Sequence, residues 1–213
     1  MMNPNLKAIY LARLERTAKA LTQNRMEARV VASREELVEI VRGMMPKGAS
    51  VATGGSATLE ETGINALLQS GDYDFYFRGR TDDAGQPVDV YRAAFSCDWY
   101  LASANAITED GRLYNVDGNS NRVAALCYGP KHVIIIAGCN KIVRDIAEAE
   151  ERVRSIAAPA NCVRLGLQNP CTVTGRCADC RSATRVCCDT VIHGFQRDPD
   201  RIKVFLLPEE LGF

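Results

Sequence analysis

Apolar positions along this chain alternate between runs at helical spacing and short unbroken stretches. Leu6, Tyr10, Leu14 and Leu21 share one face of an opening helix, with Asn3 as its cap and Pro4 in the first turn. That face is expected to pack on the body of the domain or on a second subunit. Residues 29–32 read as a strand. Ser33 with Glu36 forms a capping box, and Leu37, Ile40, Val41 and Met44 follow at helical spacing until Pro46 and Gly48 end the segment. Residues 49–53 are a buried-type strand running into Gly54-Gly55-Ser56, and 58–68 returns to helix. Beyond a polar stretch at 80–87, a helix passes through Tyr91 and Phe95, and strands are expected at 99–103 and 112–116. A helix at 121–128 stops at Gly129-Pro130, and HVIIIA at 132–137 is the clearest strand. A charged helix over 142–156 and a closing strand over 201–207 complete the pattern.

Strands alternating with helices predict an α/β fold with a mostly parallel sheet covered on both faces. No repeat or low-complexity linker divides the chain, so residues 1–213 read as one domain, with an N-terminal helix at 1–24 and a Cys-rich segment at 162–188 before the last strand.

Composition narrows the function classes. The 26 basic and 26 acidic residues cancel, so the basic excess of a nucleic-acid or anionic-membrane binder is missing. A hydrophobic share of 46% with 24% charged residues is that of a globular protein. No apolar run approaches the ~20 residues that span a bilayer, and charges interrupt the first 25 residues, which lack a signal-peptide core. The expectation is a cytoplasmic protein without nucleic-acid or membrane partners. Nine cysteines are an odd number and a poor disulfide framework in that setting. Cys97, Cys127, Cys139 and Cys162 are scattered and read as small buried hydrophobes.

Three loops are candidates for chemistry. Thr53, Gly54, Gly55 and Ser56 follow a strand and open a helix, an arrangement that presents backbone N–H groups to an anion or serves only as a tight capped turn. The pattern is neither GxGxxG nor GxxxxGK[ST]. The Asp117-Gly118-Asn119-Ser120-Asn121-Arg122 stretch follows a strand and opens a helix, so Asn119, Asn121 and Arg122 sit where a parallel sheet binds ligands. Arg122 is placed there either to clamp a carboxylate or phosphate or to pair with Asp117. Asn140 and Lys141 follow the strongest strand and share the expected sheet edge, where Lys141 would contact an anion. Glu109-Asp110-Gly111 reads as turn chemistry. His132 reads as structural, and His193 is too isolated to assign as a ligand.

TGGSATLEETG, SANAITEDGRLYNVDGNSNRVAALCYGP, GCNKIV and KVFLLPEELGF together resemble the LUD (lactate utilisation) domain from about Val51 to the C-terminus. The resemblance implies a three-layer α/β/α fold like that of the ribose-phosphate isomerase, glucosamine-phosphate deaminase and CoA-transferase group, with ligands at the strand C-terminal ends. It further implies participation in oxidising L-lactate to pyruvate beside iron–sulfur partner subunits. The ligand-facing positions it marks are Thr53, Gly54, Gly55, Ser56, Asn105, Asp117, Asn119, Asn121, Arg122, Asn140 and Lys141. On this reading the glycine-loop amides and Arg122 hold an anionic group, and Asn105 and Asn119 orient it.

Cys171, Cys177, Cys180 and Cys187 supply four thiolates for a metal site, with Cys188 spare. Arg176, Arg181 and Arg185 would offset its negative charge. Either zinc or a [4Fe–4S] cluster suits such a set, and the lactate-oxidation resemblance favours the cluster. No flavin or NAD fingerprint is present, so hydride transfer would need a partner. Two other readings stay open. One is an isomerase or CoA-transferase type of enzyme using Asp117 or Glu60, with a structural metal. The other is a zinc-stabilised regulatory protein. A homo-oligomer fits any of the three.

Overall fold

The computed structural model describes residues 3–213. Its first half comprises α1 (Pro4–Gln23), β1 (Glu27–Val30), α2 (Arg34–Met44), β2 (Ser50–Thr53), α3 (Ala57–Glu61), α4 (Ile64–Leu68), β3 (Asp74–Tyr76), α5 (Val90–Ala93) and β4 (Trp99–Ala102). There follow β5 (Ala106–Thr108), β6 (Leu113–Asp117), α6 (Asn121–Tyr128), β7 (His132–Gly138), β8 (Ile142–Val143) and α7 (Ile146–Arg152). The chain closes with α8 (Ala158–Arg164), α9 (Pro170–Thr174), β9 (Asp189–His193) and β10 (Ile202–Leu207).

Six strands form one parallel sheet in the order β1-β10-β7-β4-β2-β3. Alternation along its strands divides the core. Tyr100, Ala102, Val133, Ile135, Val204 and Leu206 face one side with Leu14, Ala18 and Leu21 of α1 and Ala125 and Leu126 of α6. Trp99, Leu101, Ile134, Ile136 and Phe205 face the other, against Leu37 and Val41 of α2 and Leu59, Ile64 and Leu67 of α3 and α4. A parallel sheet buried on both faces explains why its strands read as continuous apolar runs.

A second sheet, β8-β5-β6-β9, is mostly antiparallel. Its presence corrects several expectations. Residues 142–143 are strand, so the charged helix starts only at Ile146, capped by Asp145. Strands β3, β5 and β9 were not legible, because β3 and β5 span three residues each and β9 is largely exposed. The helix expected over 58–68 is broken at Gly63, where φ is +78°. The last helical region widens into a π turn at residues 153–157 before α8.

Helix α1 begins as expected, with the Asn3 side chain accepting from the Asn5 N–H at 2.9 Å and Pro4 in the first turn. Its second half is the buried part: Leu14, Thr17, Ala18 and Leu21 pack inward, whereas Leu6 and Ile9 are exposed. The 109–111 turn does more than reverse the chain. Glu109 pairs with Arg13 and Arg16, and the Asn24 side-chain amide donates to the carbonyls of Asp110 and Gly111. Gly111, at φ +84°, lies so close to α1 that a Cβ there would sit 2.5 Å from the Ala20 carbonyl carbon. His132 is structural, its ring stacked on Trp99 at 4.4 Å. Among the described residues, no helix is long and apolar enough to cross a membrane.

The metal-binding insertion expected at 162–188 is not formed as a closed ion site: among the described residues, no three His, Cys, Asp or Glu side chains converge to hold a metal ion. The segment is nevertheless tied down. Asn169, 1% exposed, donates to the Cys162 sulfur and the Thr184 carbonyl and accepts from the Thr184 hydroxyl. The Cys177 N–H donates to Arg154 O at 2.8 Å, and Cys188 leads into β9 through its N–H to Asp117 O.

A cationic cavity at the strand ends

The C-terminal ends of β2, β4 and β7 point to one edge of the parallel sheet, and a cavity of about 380 Å³ opens there. The loop after β2 brings Gly55 and Ser56, the first turn of α3 brings Thr58, the loop after β4 brings Ser103 and Asn105, and the turn after β7 brings Lys141. Asp117, Asn119, Asn121 and Arg122 line it from the second sheet and α6, and α8 adds Asn161 and Arg164. The three loops singled out in the sequence therefore meet, although Asp117 ends a strand of the small sheet.

Some expected positions serve other ends. Thr53 faces a smaller neighbouring cavity. Gly54 is needed for space: a Cβ there would lie 2.8 Å from the Arg122 side chain, and its N–H donates to Leu101 O. Asn140 holds the final residues, its amide donating to Gly212 O at 3.1 Å while its oxygen accepts from the Leu211 N–H. Ser56 caps α3, accepting from the Leu59 N–H.

Arg122 is the most heavily engaged side chain at this edge. Its Nε donates to Asp117 Oδ1 at 2.9 Å, Nη1 to Ser103 O and Asn115 Oδ1, and Nη2 to Asn105 Oδ1 and Val116 O. All five guanidinium N–H groups thus have protein acceptors. The second oxygen of Asp117 accepts from the Val123 N–H. Of the two roles open to Arg122, bracing is the one its geometry serves; paired with Asp117, it leaves the cavity no spare donor. The two acid–base candidates are placed differently: Asp117 lines the cavity with each oxygen accepting from Arg122 or the Val123 N–H, whereas Glu60 is exposed, accepts from Asn65 and does not line the cavity.

Lys141 is unusual. It is 3% exposed, and its Nζ donates to Thr58 Oγ1 at 2.9 Å and Ser103 Oγ at 3.0 Å. It forms no ion pair among the described residues. Burial, then the charges of Arg152 and Arg122, pull its pKa down to about 7 against a weaker opposing pull from Glu61. Arg152 is itself buried, braced by carbonyls of Asn140 and Asn105.

Residues that the sequence reading passed over complete the cavity: Thr58, Ser103, Arg78, Tyr91, Arg164 and Arg185. Arg78 touches Tyr91, and Arg164 donates to Asn161; neither has an acidic partner among the described residues. They come from a loop and a helix far apart in sequence, and no local pattern marks them.

Behind the cavity wall formed by Arg185 and Val186 lies a small pocket lined by five thiols: Cys162, Cys171, Cys177, Cys180 and Cys187. Cys162 was read as an isolated core cysteine; α8 carries it into this cluster, 1% exposed. Cys188 stays outside and exposed, and Cys127 is also exposed, 3.7 Å from His193. Burial and the neighbouring Cys162 push the Cys171 thiol up to about 11. Arg185 encloses the loop, donating to the Cys180 and Cys187 carbonyls and to Asp179.

The family model of the LUD domain matches residues 14–207. The chain belongs to the LUD-domain family. That family is associated with lactate utilisation. This LUD domain is similar to a crystallised DUF162-family protein from Deinococcus radiodurans, with a TM-score of 0.51 at 15% identity over 94% of this chain and 98% of the other. That likeness shows the fold. The tetrameric eIF2B-beta2-delta2 complex from Chaetomium thermophilum matches at a TM-score of 0.42 and 14% identity, over 81% of this chain and 55% of the other. A comparison with curated proteins finds no match for this LUD domain.

Proposed function

We propose that this LUD domain serves lactate utilisation by binding a small carboxylate- or phosphate-bearing metabolite in the cavity at the strand ends, beside a cysteine site that carries a [4Fe–4S] cluster. The charge of the cavity carries the reading: four arginines line it, and while Arg122 neutralises Asp117 and Arg185 pairs with Asp179, Arg78 and Arg164 have no acidic partner among the described residues. Arg164 and Arg78 remain to meet an anion, and the Asn105 side-chain nitrogen, with no acceptor among the described residues, is available to orient it.

The thiol pocket supports the second half. Here five thiols line one small pocket, a donor set of the kind that holds a cluster. Cys171, Cys177, Cys180 and Cys187 with Cys162 provide one more thiol than four-cysteine ligation requires, and Arg185 offsets the charge. A bound cluster supplies single-electron transfer; redox partner subunits would complete the path.

Calorimetric titration with L-lactate, pyruvate and a sugar phosphate tests the cavity. A charge-assisted contact is worth roughly 1.5–3 kcal/mol, so Arg164→Ala is expected to weaken the bound anion about tenfold or more. No heat with any of the three, or equal affinity in wild type, Arg164→Ala and Arg78→Ala, would overturn the reading.

A further inference from the structure

We infer that Lys141 is a nucleophilic amine that forms a reversible imine with a 2-oxo acid bound in the cationic cavity. This rests on the anion-binding reading and names the substrate class.

The geometry begins with hydrogen-bond accounting. A neutral amine has two N–H groups and one lone pair; an ammonium has three N–H groups and needs three acceptors when buried. At Nζ the structure provides two, the hydroxyl oxygens of Thr58 and Ser103. Those hydroxyls spend their own protons on the carbonyls of Leu211 and Ala104. The remaining tetrahedral direction at Nζ has no protein acceptor among the described residues, and Lys141 forms part of the cavity lining. The arrangement fits an amine with its lone pair directed away from its two hydroxyl partners.

The charged surroundings act in the same sense. Arg122 from α6 and Arg152 from α7 disfavour a third positive charge beside them, and Glu61 from α3, which accepts from the Gly212 N–H, opposes them weakly. The amine therefore titrates near neutral pH, in the range where a lysine is both available and reactive.

An amine of this kind reacts with a carbonyl carbon, and the basic cavity selects a carboxylate; a 2-oxo acid joins the two groups in one small molecule. In the addition, the Nζ lone pair forms the C–N bond while the carbonyl π pair moves to oxygen, which takes up a proton. The nitrogen loses its protons, the hydroxyl leaves as water, and the C=N bond forms. Amine plus ketone gives imine plus water, with no oxidant required. Thr58 and Ser103, held at Nζ, are the groups in place to relay the protons.

The test is reductive trapping: full-length protein is incubated with pyruvate and cyanoborohydride and then mapped by mass spectrometry. The expected result is a single reduced adduct on the peptide holding Lys141, with trapping half-maximal near pH 7 and lost in a Lys141→Met variant of unchanged circular dichroism. If that variant does not fold, the pH profile of the wild-type adduct still decides. Adducts spread over surface lysines, or an adduct at Lys141 that rises only with the ordinary lysine range, would overturn the inference. Calorimetry with pyruvate, L-lactate and a sugar phosphate separates the two levels. No adduct while pyruvate, L-lactate or the sugar phosphate still binds overturns the imine only; no adduct and no heat with any of the three overturns both.

Discussion

Removing Arg122 should unfold the cavity edge rather than merely empty it. Arg122→Ala deletes five hydrogen bonds that join α6 to the loop after β4 and to the end of β6. It leaves the Asp117 carboxylate, whose side chain is only 10% exposed, with the Val123 N–H as its remaining partner. It also strands the fully buried Asn115, whose amide nitrogen already lacks an acceptor. Breaking one side of a buried pair costs about 3–5 kcal/mol. For a chain of this size that corresponds to a fall in Tm of roughly 6–20 °C. Arg122→Lys keeps the charge but loses the planar fork, and about half of the loss is expected to remain. Urea denaturation and calorimetric scanning of both variants measure the effect. The reasoning is refuted if Arg122→Ala lies within about 1 kcal/mol of wild type while anion affinity drops tenfold, since Arg122 would then be a clamp whose internal bonds matter little.

Two further outcomes follow from packing and from the thiols. Gly111→Ala forces a side chain into the backbone of α1 at a positive φ and should cost about 2 kcal/mol or more, read as a lower urea midpoint; a change under about 0.5 kcal/mol would show that α1 yields easily. Protein purified without oxygen should contain iron and acid-labile sulfide, and Cys177→Ser should lower both while Cys188→Ser leaves them in place. Zinc without sulfide would replace the cluster with a structural metal, and a Cys162→Ser variant with full iron would restrict the ligands to the later four cysteines.

The buried strands β2, β4, β7 and β10 were legible because a parallel sheet buried on both faces writes itself as unbroken apolar runs, as in 132–137. Capping chemistry was legible for the same kind of local reason: Asn3, Ser33 and Ser56 bond to N–H groups within a turn. The sequence also placed Lys141 at the site because it follows the end of an apolar strand, and Asn105 through the resemblance to the LUD domain. It did not assign their roles. Whether Arg122 clamps a ligand or braces a loop depends on five acceptors scattered from Ser103 to Asp117, and whether Lys141 carries a proton depends on its burial beside Arg152 and Arg122. Strand β9 and the recruitment of Cys162 to the thiol pocket likewise depend on partners distant along the chain. Local periodicity reports which face of an element is buried; the neighbours that face will meet, and hence the protonation and bonding of the groups it carries, are fixed only when the tertiary structure closes.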